Sequence, residues 1–234
     1  ITGAGDGLGR AAALAYARHG ASVILLGRTQ KKLEAVYDEI QQQGGPLPAI
    51  MPLDLGKAGM DAYQKVVHGI IQEFGRLDGL LHNAAFLGQL APFSLSNLEM
   101  WPQVMQINLN AAVLLTHACL PLLEKSPDAS IVFTSDSVGR SGRAYWGAYG
   151  VSKAALEGFM QILAAELAGT TTIRVNSLDP GAVRTFLRTR AYPGEDPTTL
   201  PAPEQVMAVY LYLMGRDSAG VTGQALDAQA SPAQ

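Results

Sequence analysis

The chain contains one cysteine and carries little charge. Among its 234 residues only Cys119 is a cysteine, so no internal disulfide can form, and its apolar neighbours predict a buried structural thiol. This cysteine usage is typical of proteins in a reducing compartment, and we expect a cytoplasmic location. Charged residues make up 16% of the chain, the net charge is -3, and lysine and arginine do not cluster. These features argue against nucleic acid or an anionic membrane as a partner and favour a small molecule.

Long apolar runs are also missing from the sequence. No apolar run reaches the roughly 18 residues needed to suggest a membrane span, and no basic segment followed by an apolar signal segment opens the chain. Ile1 and Thr2 lead directly into a glycine-rich loop. Because a strand usually precedes such a loop, we expect most of the first strand to lie before Ile1.

Short aliphatic runs alternate with longer helical patterns over the whole chain. This alternation predicts an α/β fold, a doubly wound parallel sheet with helices on both faces, in a single domain of residues 1–234. The predicted strands are residues 22–26, 49–52, 79–82, 130–135, 173–178 and 223–226. Two predicted helices, residues 101–123 and 148–167, are apolar over much of their circumference, which predicts burial against the sheet and a partner subunit. Residues 191–203 are rich in proline, glycine and acidic residues and are expected to form a mobile lid over the substrate.

The first residues form a glycine-rich loop followed by a helical pattern. Glycines allow a tight turn and let the backbone approach a pyrophosphate, which then meets the N–H groups at the start of the next helix. A plain glycine-rich turn has the same composition, but the alternating pattern downstream favours a dinucleotide site. A phosphate loop for ATP would end in Gly-Lys-Ser or Gly-Lys-Thr, and this loop does not. The candidate cofactor residues in the loop are Gly3, Gly5, Asp6, Gly7, Leu8 and Gly9.

Arg28 follows the predicted strand of residues 22–26, at the place where dinucleotide folds read the adenosine ribose. An acidic residue there would bond the 2′-hydroxyl of NAD, whereas an arginine suits the 2′-phosphate of NADP. We therefore expect NADP as cofactor, with NAD as the alternative, because Arg28 could be a surface arginine and Asp6 adds negative charge nearby. Asp54 and Leu55 follow the next strand and could cap the adenine, although a simple turn aspartate explains Asp54 equally well.

Tyr149 and Lys153 stand four residues apart in a predicted helix, so their side chains share one face. A nearby ammonium favours the phenolate and is expected to lower the pKa of the tyrosine from its usual value of about 10. A phenol tuned in this way can act as a general acid or base. A core aromatic and a solvated lysine are the alternative interpretation of the pair.

Several motifs occur together in a fixed order and resemble the short-chain dehydrogenase/reductase family over essentially the whole chain. The closest match, around residues 133–153, resembles a poorly characterised bacterial subgroup of oxidoreductases. The resemblance implies a Rossmann-type sheet and an alcohol or carbonyl substrate. The motifs are Thr2-Gly3 with Gly7 and Gly9, His82-Asn83-Ala84-Ala85, Asn108, a serine near residues 135–137, Tyr149 with Lys153, and Pro180-Gly181 with Thr185.

The resemblance also implies roles for individual residues. Tyr149 would exchange a proton with the substrate oxygen, and Lys153 would bond the nicotinamide ribose and lower the pKa of the tyrosine. Asn108 would help to hold a water beside Lys153, although an asparagine in a helix can also bond the backbone at a bulge. The residues expected to line the cofactor groove or close over the nicotinamide are Asn83, Ala84, Pro180, Gly181, Val183 and Thr185.

The serine of the family pattern is displaced in this sequence. The family serine usually precedes the tyrosine by thirteen positions and bonds the substrate oxygen, but the residue thirteen before Tyr149 is Asp136. A loop shortened by one residue would give the role to Ser137, and we favour Ser137. Otherwise the Asp136 carboxylate would face the substrate, repel a developing oxyanion and raise the pKa of the tyrosine, so that catalysis would need a protonated acid, a basic substrate or another donor.

These observations predict an NADP-preferring oxidoreductase that interconverts an alcohol and its carbonyl. The rival interpretation is a nucleotide-binding sensor or interaction protein of the same fold with little turnover, and Asp136 is its best support. The resemblance and the two apolar helices imply a homodimer or homotetramer. We expect no metal site. Apolar walls for the substrate could come from Phe186, Leu187, Tyr192, Tyr145 and Trp146.

Overall fold

The computed structural model describes residues 1–229, which form an α/β fold with one parallel sheet between two layers of helices. The strands are β1 (Ile24–Gly27), β2 (Ala49–Pro52), β3 (Gly79–His82), β4 (Ser130–Thr134), β5 (Arg174–Asp179) and β6 (Ala225–Asp227). The α-helices are α1 (Gly7–Arg18), α2 (Gln30–Gln42), α3 (Met60–Phe74), α4 (Trp101–Met105), α5 (Ala111–Leu123), α6 (Ser137–Arg140), α7 (Gly147–Leu167), α8 (Phe186–Ala191) and α9 (Met207–Met214). The predicted fold class is confirmed.

The first two residues of the chain lie in the middle of the sheet. The backbone N–H of Leu26 donates to the carbonyl of Ile1 at 3.0 Å, and the N–H of Thr2 donates to the carbonyl of Leu81 at 2.9 Å. These bonds join the β1–β2 pair to the sheet of β3, β4, β5 and β6, and all paired strands are parallel. Strands β1 and β2 therefore lie on one side of residues 1 and 2, and the other four strands lie on the opposite side. Ligands of doubly wound sheets bind at such a switch point, at the carboxyl ends of the strands.

The strands agree closely with their predicted positions. Strands β2 and β3 have the predicted bounds, and the other four differ from prediction by no more than two residues at either end. The predicted helix of residues 148–167 is α7, which begins one residue earlier. The predicted helix of residues 101–123 is not regular, because a π-helical turn, Gln106–Asn110, separates α4 from α5.

The helical run Leu98–Leu123 corrects one expectation from the sequence. It is long and apolar enough, by length and composition, to cross a membrane, with a mean hydropathy of 1.3 over its most apolar stretch. Of that stretch, 44% is buried inside the protein. Its inward side, including Leu115, Cys119 and Leu123, packs into the core beneath the sheet. The thiol of Cys119 is buried and unpaired, as the sequence predicts.

One cavity lies away from the carboxyl edge of the sheet. It measures about 1170 Å³, begins beside Ile1, and has walls from β1, β3 and helices on both faces. That most of the first strand lies before Ile1 stays a prediction.

Candidate active site

A cleft of about 510 Å³ lies at the switch point of the sheet, where the carboxyl ends of the strands meet α1, α7 and α8. It brings together most of the candidate residues from distant parts of the sequence. Three candidates do not line it: Gly9, Asn108 and Ser137. Those that line it are Gly3, Gly5, Asp6, Gly7, Leu8, Arg28, Asp54, Leu55, Asn83, Ala84, Tyr149, Lys153, Pro180, Gly181, Val183 and Thr185.

The glycine loop forms a backbone cradle at the start of α1. Gly3 and Gly7 have φ angles of 67° and 50°, a backbone conformation that residues with a side chain rarely adopt. A Cβ on Gly9 would lie 2.2 Å from the carbonyl oxygen of Gly3, so Gly9 is required for the close packing of helix and loop. Asp6 caps α1, since its carboxylate accepts a hydrogen bond of 2.8 Å from the N–H of Gly7. The first turn of a twelve-residue helix thus faces the cleft, an arrangement that fits the pyrophosphate of a dinucleotide.

Thr2 connects the glycine loop to the loop after β3. Its hydroxyl oxygen accepts two hydrogen bonds, from the N–H groups of Asn83 at 2.9 Å and Ala84 at 3.0 Å. The amide of Asn83 returns a bond of 3.3 Å to the carbonyl of Thr2. Thr2 is only 3% exposed, so these are well-shielded bonds. One hydroxyl therefore fixes two of the candidate cofactor residues.

The adenosine end of the cleft contains a positive side chain that the sequence interpretation missed. Arg28 and Lys32 both line this end, and both are exposed. The Nζ of Lys32 lies 2.5 Å from a carboxylate oxygen of Asp6, and this bond, aided by the other neighbours of Asp6, holds the pKa of the aspartate below its usual range. The sequence could have pointed to Lys32, because this residue lies in the first turn of α2, four residues after Arg28. When only the sequence is considered, the negative charge of Asp6 argues against a second phosphate. In the structure, Lys32 balances that charge.

Asp54 behaves as a turn residue that also lines the cleft. Its carboxylate accepts a hydrogen bond of 3.0 Å from the N–H of Gly56. At the opposite side, Thr185 caps α8 by accepting a bond from the N–H of Arg188, and its methyl group faces Gly7 across the cleft. Gly181 has a φ angle of 71°, which permits the sharp turn that follows β5. These loops form the two walls between which a dinucleotide would lie.

Tyr149 and Lys153 lie one turn apart on α7, and both are buried, at 3% and 2% exposure. The ammonium of Lys153 is 5.6 Å from the centre of the tyrosine ring and donates to the carbonyl of Thr134 at 2.6 Å. Burial lowers the pKa of Lys153 to about 8. Burial, followed by the charge of Asp136, raises the pKa of Tyr149 well above its usual value. The expected lowering of the tyrosine pKa is therefore wrong for this structure, because burial and a carboxylate outweigh the lysine.

Asp136, rather than Ser137, contacts Tyr149. The phenol donates to Oδ2 of Asp136 at 3.2 Å, and Oδ1 of the same carboxylate accepts from the N–H of Val138 at 3.0 Å and so caps α6. The Ser137 side chain is exposed and bonds Arg143 and Asp136 instead. The geometry therefore places Asp136, and not Ser137, next to the phenol, and which of the two faces a bound substrate stays a prediction. Asp136, thirteen residues before Tyr149, lies next to the phenol because α6 begins directly after it and holds its carboxylate through the N–H of Val138.

Asn108 lies in the π-helical turn and is 3% exposed. Its side-chain oxygen accepts from the N–H of Phe86 at 2.7 Å, and its amide donates to the carbonyl of Phe86 and the hydroxyl of Ser152, each at 3.0 Å. The amide therefore bonds the backbone at a helix irregularity, which is the structural alternative given by the sequence. It ties the loop after β3 to α7 one residue before Lys153. The water-holding role stays a prediction.

The end of the cleft beside Tyr149 is walled by aromatic side chains and by α8. Trp146 lies between Tyr149 and Tyr192, with ring centres 5.6 Å and 5.9 Å away. The guanidinium of Arg188 stacks over Tyr192 at 3.7 Å and forms an ion pair with Glu195. Tyr145, a candidate wall residue, does not line the cleft: its side chain is 62% exposed, and its φ is 74°. No cluster of metal-ligating side chains occurs within residues 1–229.

Comparisons with known proteins agree with this geometry. Residues 1–196 match the family described as short chain dehydrogenase. The chain is 50% identical over 229 residues to the uncharacterized oxidoreductase YciK of Escherichia coli (strain K12), covering 98% of this chain and 90% of that protein. It superposes with a TM-score of 0.97 on a putative short chain dehydrogenase from Pseudomonas syringae, at 57% identity, with 98% and 93% of the two chains covered. It superposes with a TM-score of 0.96 on a putative short chain dehydrogenase from Shigella flexneri 2a str. 301 complexed with NADP, at 50% identity, with 98% and 95% covered.

Proposed function

Because this chain belongs to the short-chain dehydrogenase family, and is an NAD(P)-dependent oxidoreductase, we propose that it uses NADP(H) and reduces an unsaturated carbon in the cleft beside Tyr149. The observation that carries the proposal is that the glycine cradle, Arg28, Tyr149 and Lys153 open into one cleft. An alcohol and carbonyl pair is the substrate class that the family implies.

NADP(H) is favoured over NAD(H) by the charge at the adenosine end. Arg28 and Lys32 bring two positive side chains to the wall where a 2′-phosphate would lie. The 50% identical Shigella flexneri protein is complexed with NADP. The ammonium of Lys32 has three N–H donors, so its bond to Asp6 would hold the lysine in place and leave donors free for a phosphate.

The residues beside the reacting carbon suit the reductive direction. When bound, the nicotinamide supplies a hydride. Tyr149 holds a proton at its hydroxyl because its pKa is raised, first by burial and then by Asp136, so the phenol is available as an acid. Lys153 lies one turn after Tyr149 on α7. Its ammonium donates to the carbonyl of Thr134 and would also bond the nicotinamide ribose. Trp146, Leu187 and Tyr192 line the cleft and would give the substrate an apolar wall.

Replacement of the phenol tests the proposal. Tyr149→Phe keeps the ring and removes only the hydroxyl, so NADPH affinity, measured by cofactor fluorescence, should stay within about twofold. Turnover of a panel of ketones, aldehydes and imines by NADPH oxidation should fall for carbonyl substrates by about 10²-fold or more. Unchanged carbonyl turnover in the variant would remove Tyr149 from the mechanism.

The rival function is a cofactor-binding sensor with little turnover. The hydrogen bond from Tyr149 to Asp136 favours it, because the acid is already engaged with a carboxylate. Tight NADPH binding without turnover on any member of the panel would support the sensor and contradict the enzyme.

A homo-oligomer is proposed from the outer side of α7. Val151 and Ile162 are 48% and 59% exposed on this helix, and an apolar helix with such an exposed side is suited to a subunit contact. Light scattering of wild type and of an Ile162→Glu variant would test it, because a monomer in both cases contradicts the proposal. Cytoplasmic location, and the absence of nucleic-acid and membrane partners, stay predictions.

A further inference from the structure

The carboxylate of Asp136 is held in a defined direction at the centre of the cleft. Its backbone is extended, with φ of -162° and ψ of 149°, and Oδ1 is bound to the N–H of Val138 at the start of α6. Oδ2 is left to point at the hydroxyl of Tyr149, 3.2 Å away. Both residues line the cleft. A substrate atom that reaches the phenol therefore also reaches this carboxylate oxygen.

No cation forms an ion pair with Asp136 within the described part of the chain, although the charge of Asp136 opposes the burial that lowers the pKa of Lys153. Every ion pair found among residues 1–229 involves other carboxylates. Lys153 donates to the carbonyl of Thr134, and Arg143 reaches the aspartate only through the hydroxyl of Ser137. Asp179 adds further negative potential, since its charge, like that of Asp136, raises the pKa of Tyr149.

A neutral carbonyl fits this arrangement poorly. Its oxygen is an acceptor that gains negative charge as the carbon is reduced, and a carboxylate beside it supplies repulsion where a donor is needed. A protonated carbon–nitrogen double bond has the opposite character. Its N–H is a donor with positive charge, which an unpaired carboxylate binds by a charge-assisted hydrogen bond.

We propose that the reacting group taken by this site is a protonated imine, and that Asp136 is the residue that selects it. This inference rests on the proposed function and names the substrate class of the same site. Hydride from NADPH forms the new C–H bond, and the π-electron pair of the C=N bond becomes the lone pair of the nitrogen. The nitrogen keeps its proton, so the iminium ion and NADPH give a neutral amine and NADP⁺. The positive charge moves from substrate to nicotinamide and the total charge is conserved.

In this reaction Tyr149 is not required to give up its proton during hydride transfer. Its phenol can remain bonded to Asp136 or to the substrate nitrogen, which agrees with the raised pKa of the tyrosine. Asp136 is thus a catalytic residue in contact with the substrate. The tyrosine becomes a positioning group for imines and an acid for carbonyls.

A matched pair of substrates separates the two chemistries. Dihydroisoquinoline is a cyclic imine, and tetralone is a ketone of similar ring size and shape. Wild type should reduce the imine with a kcat/KM at least about tenfold above that of the ketone, since a charged hydrogen bond is worth this much or more. Asp136→Ser should reverse the preference, because a hydroxyl can donate to a carbonyl oxygen. Serine is also a good helix cap, so α6 is preserved.

Binding provides a readout that does not depend on turnover. Tetrahydroisoquinoline is a cation at neutral pH, whereas tetralol is neutral, and both can be titrated into the protein by the fluorescence of Trp146 in the cleft. Asp136→Asn should weaken the cation by about tenfold and leave tetralol within about twofold. Asp227→Asn is the control, because it removes an equal charge that is already paired with Arg140.

The outcomes distinguish this inference from the proposed function. If wild type prefers tetralone, or if Asp136→Ser leaves the imine-to-ketone ratio unchanged, Asp136 does not select the substrate, while the reductase remains. If Asp227→Asn weakened the binding of tetrahydroisoquinoline as much as Asp136→Asn does, the effect would come from the overall charge of the protein. That result would overturn the inference. Reduction of neither compound by wild type or Asp136→Ser would count against the reductase itself.

Discussion

Gly139 of α6 lies directly against Lys153 of α7. A Cβ placed on the glycine would approach the backbone carbonyl carbon and the Cβ of the lysine at 2.8 Å each. No real Cβ tolerates that distance to backbone, so the two helices can be this close only because residue 139 is glycine. Since Asp136 caps the start of α6, this contact sets how far the carboxylate lies from Tyr149.

Gly139→Ala should therefore disturb the position of Asp136 beside Tyr149, although residue 139 does not line the cleft. The methyl group must push α6 away from α7, and we expect a loss of about 1–3 kcal/mol in the free energy of unfolding, as for overpacked interiors. Urea denaturation followed by tryptophan fluorescence measures it. Gly142→Ala is the matched control, because a Cβ there meets nothing within 4 Å and φ is not positive. Equal effects of the two substitutions would show that the close contact does not matter.

Lys32 should contribute to the preference for NADPH over NADH. We expect Lys32→Ala to weaken NADPH binding by about tenfold, the usual size of one charge-assisted hydrogen bond, and to leave NADH within about twofold. Titration by cofactor fluorescence at constant ionic strength gives both affinities. Lys31→Ala removes a neighbouring exposed charge that does not line the cleft. A comparable loss in that control would mean that net charge alone, rather than position, attracts the phosphate.

Thr2 should stabilise the loop after β3 through its hydroxyl. Thr2→Val keeps the shape and leaves the N–H groups of Asn83 and Ala84 without their acceptor, so we expect a cost of about 1–3 kcal/mol in the free energy of unfolding. Thr2→Ser retains the acceptor and should recover most of that loss. Hydrogen exchange at the two amides, followed by NMR, gives a local measure. Protection that persists in the valine variant would contradict the role of the hydroxyl.

His82 should make the protein less stable in acid. Burial, the largest cause, lowers its pKa from 6.5 to about 3, and the ring is stacked on Phe133 and bonded to Thr116. The unfolded chain therefore binds a proton that the folded chain does not, and stability present above pH 6.5 is lost as the pH falls towards 3. The slope from this group is about 1.4 kcal/mol per pH unit. Denaturation of wild type and His82→Gln at pH values between these limits should show the smaller slope in the variant, and parallel curves would argue against a buried neutral imidazole.

The sequence predicts the parts of this protein that depend on spacing. Strand positions followed from aliphatic runs, and the meeting of the glycine loop with Tyr149 followed from the rule that parallel strands share a carboxyl edge. The choice between Asp136 and Ser137 could not follow, because it depends on the backbone angles at the first residue of a four-residue helix. The direction of the Tyr149 pKa could not follow either, since the lysine is visible in the sequence but the depth of burial is not.

The stack of Arg188 on Tyr192 and its ion pair with Glu195 have a consequence for the release of product. Two bonds of 2.6 Å join the guanidinium to the carboxylate and close residues 188–195 into a loop held by its own side chains. This segment cannot open one residue at a time, because its first residue, Arg188, is bonded to its last, Glu195, and is stacked on Tyr192. It should swing as one piece about its ends, in a single kinetic step. Since half of the tie is electrostatic and partly exposed to solvent, added salt should speed that step.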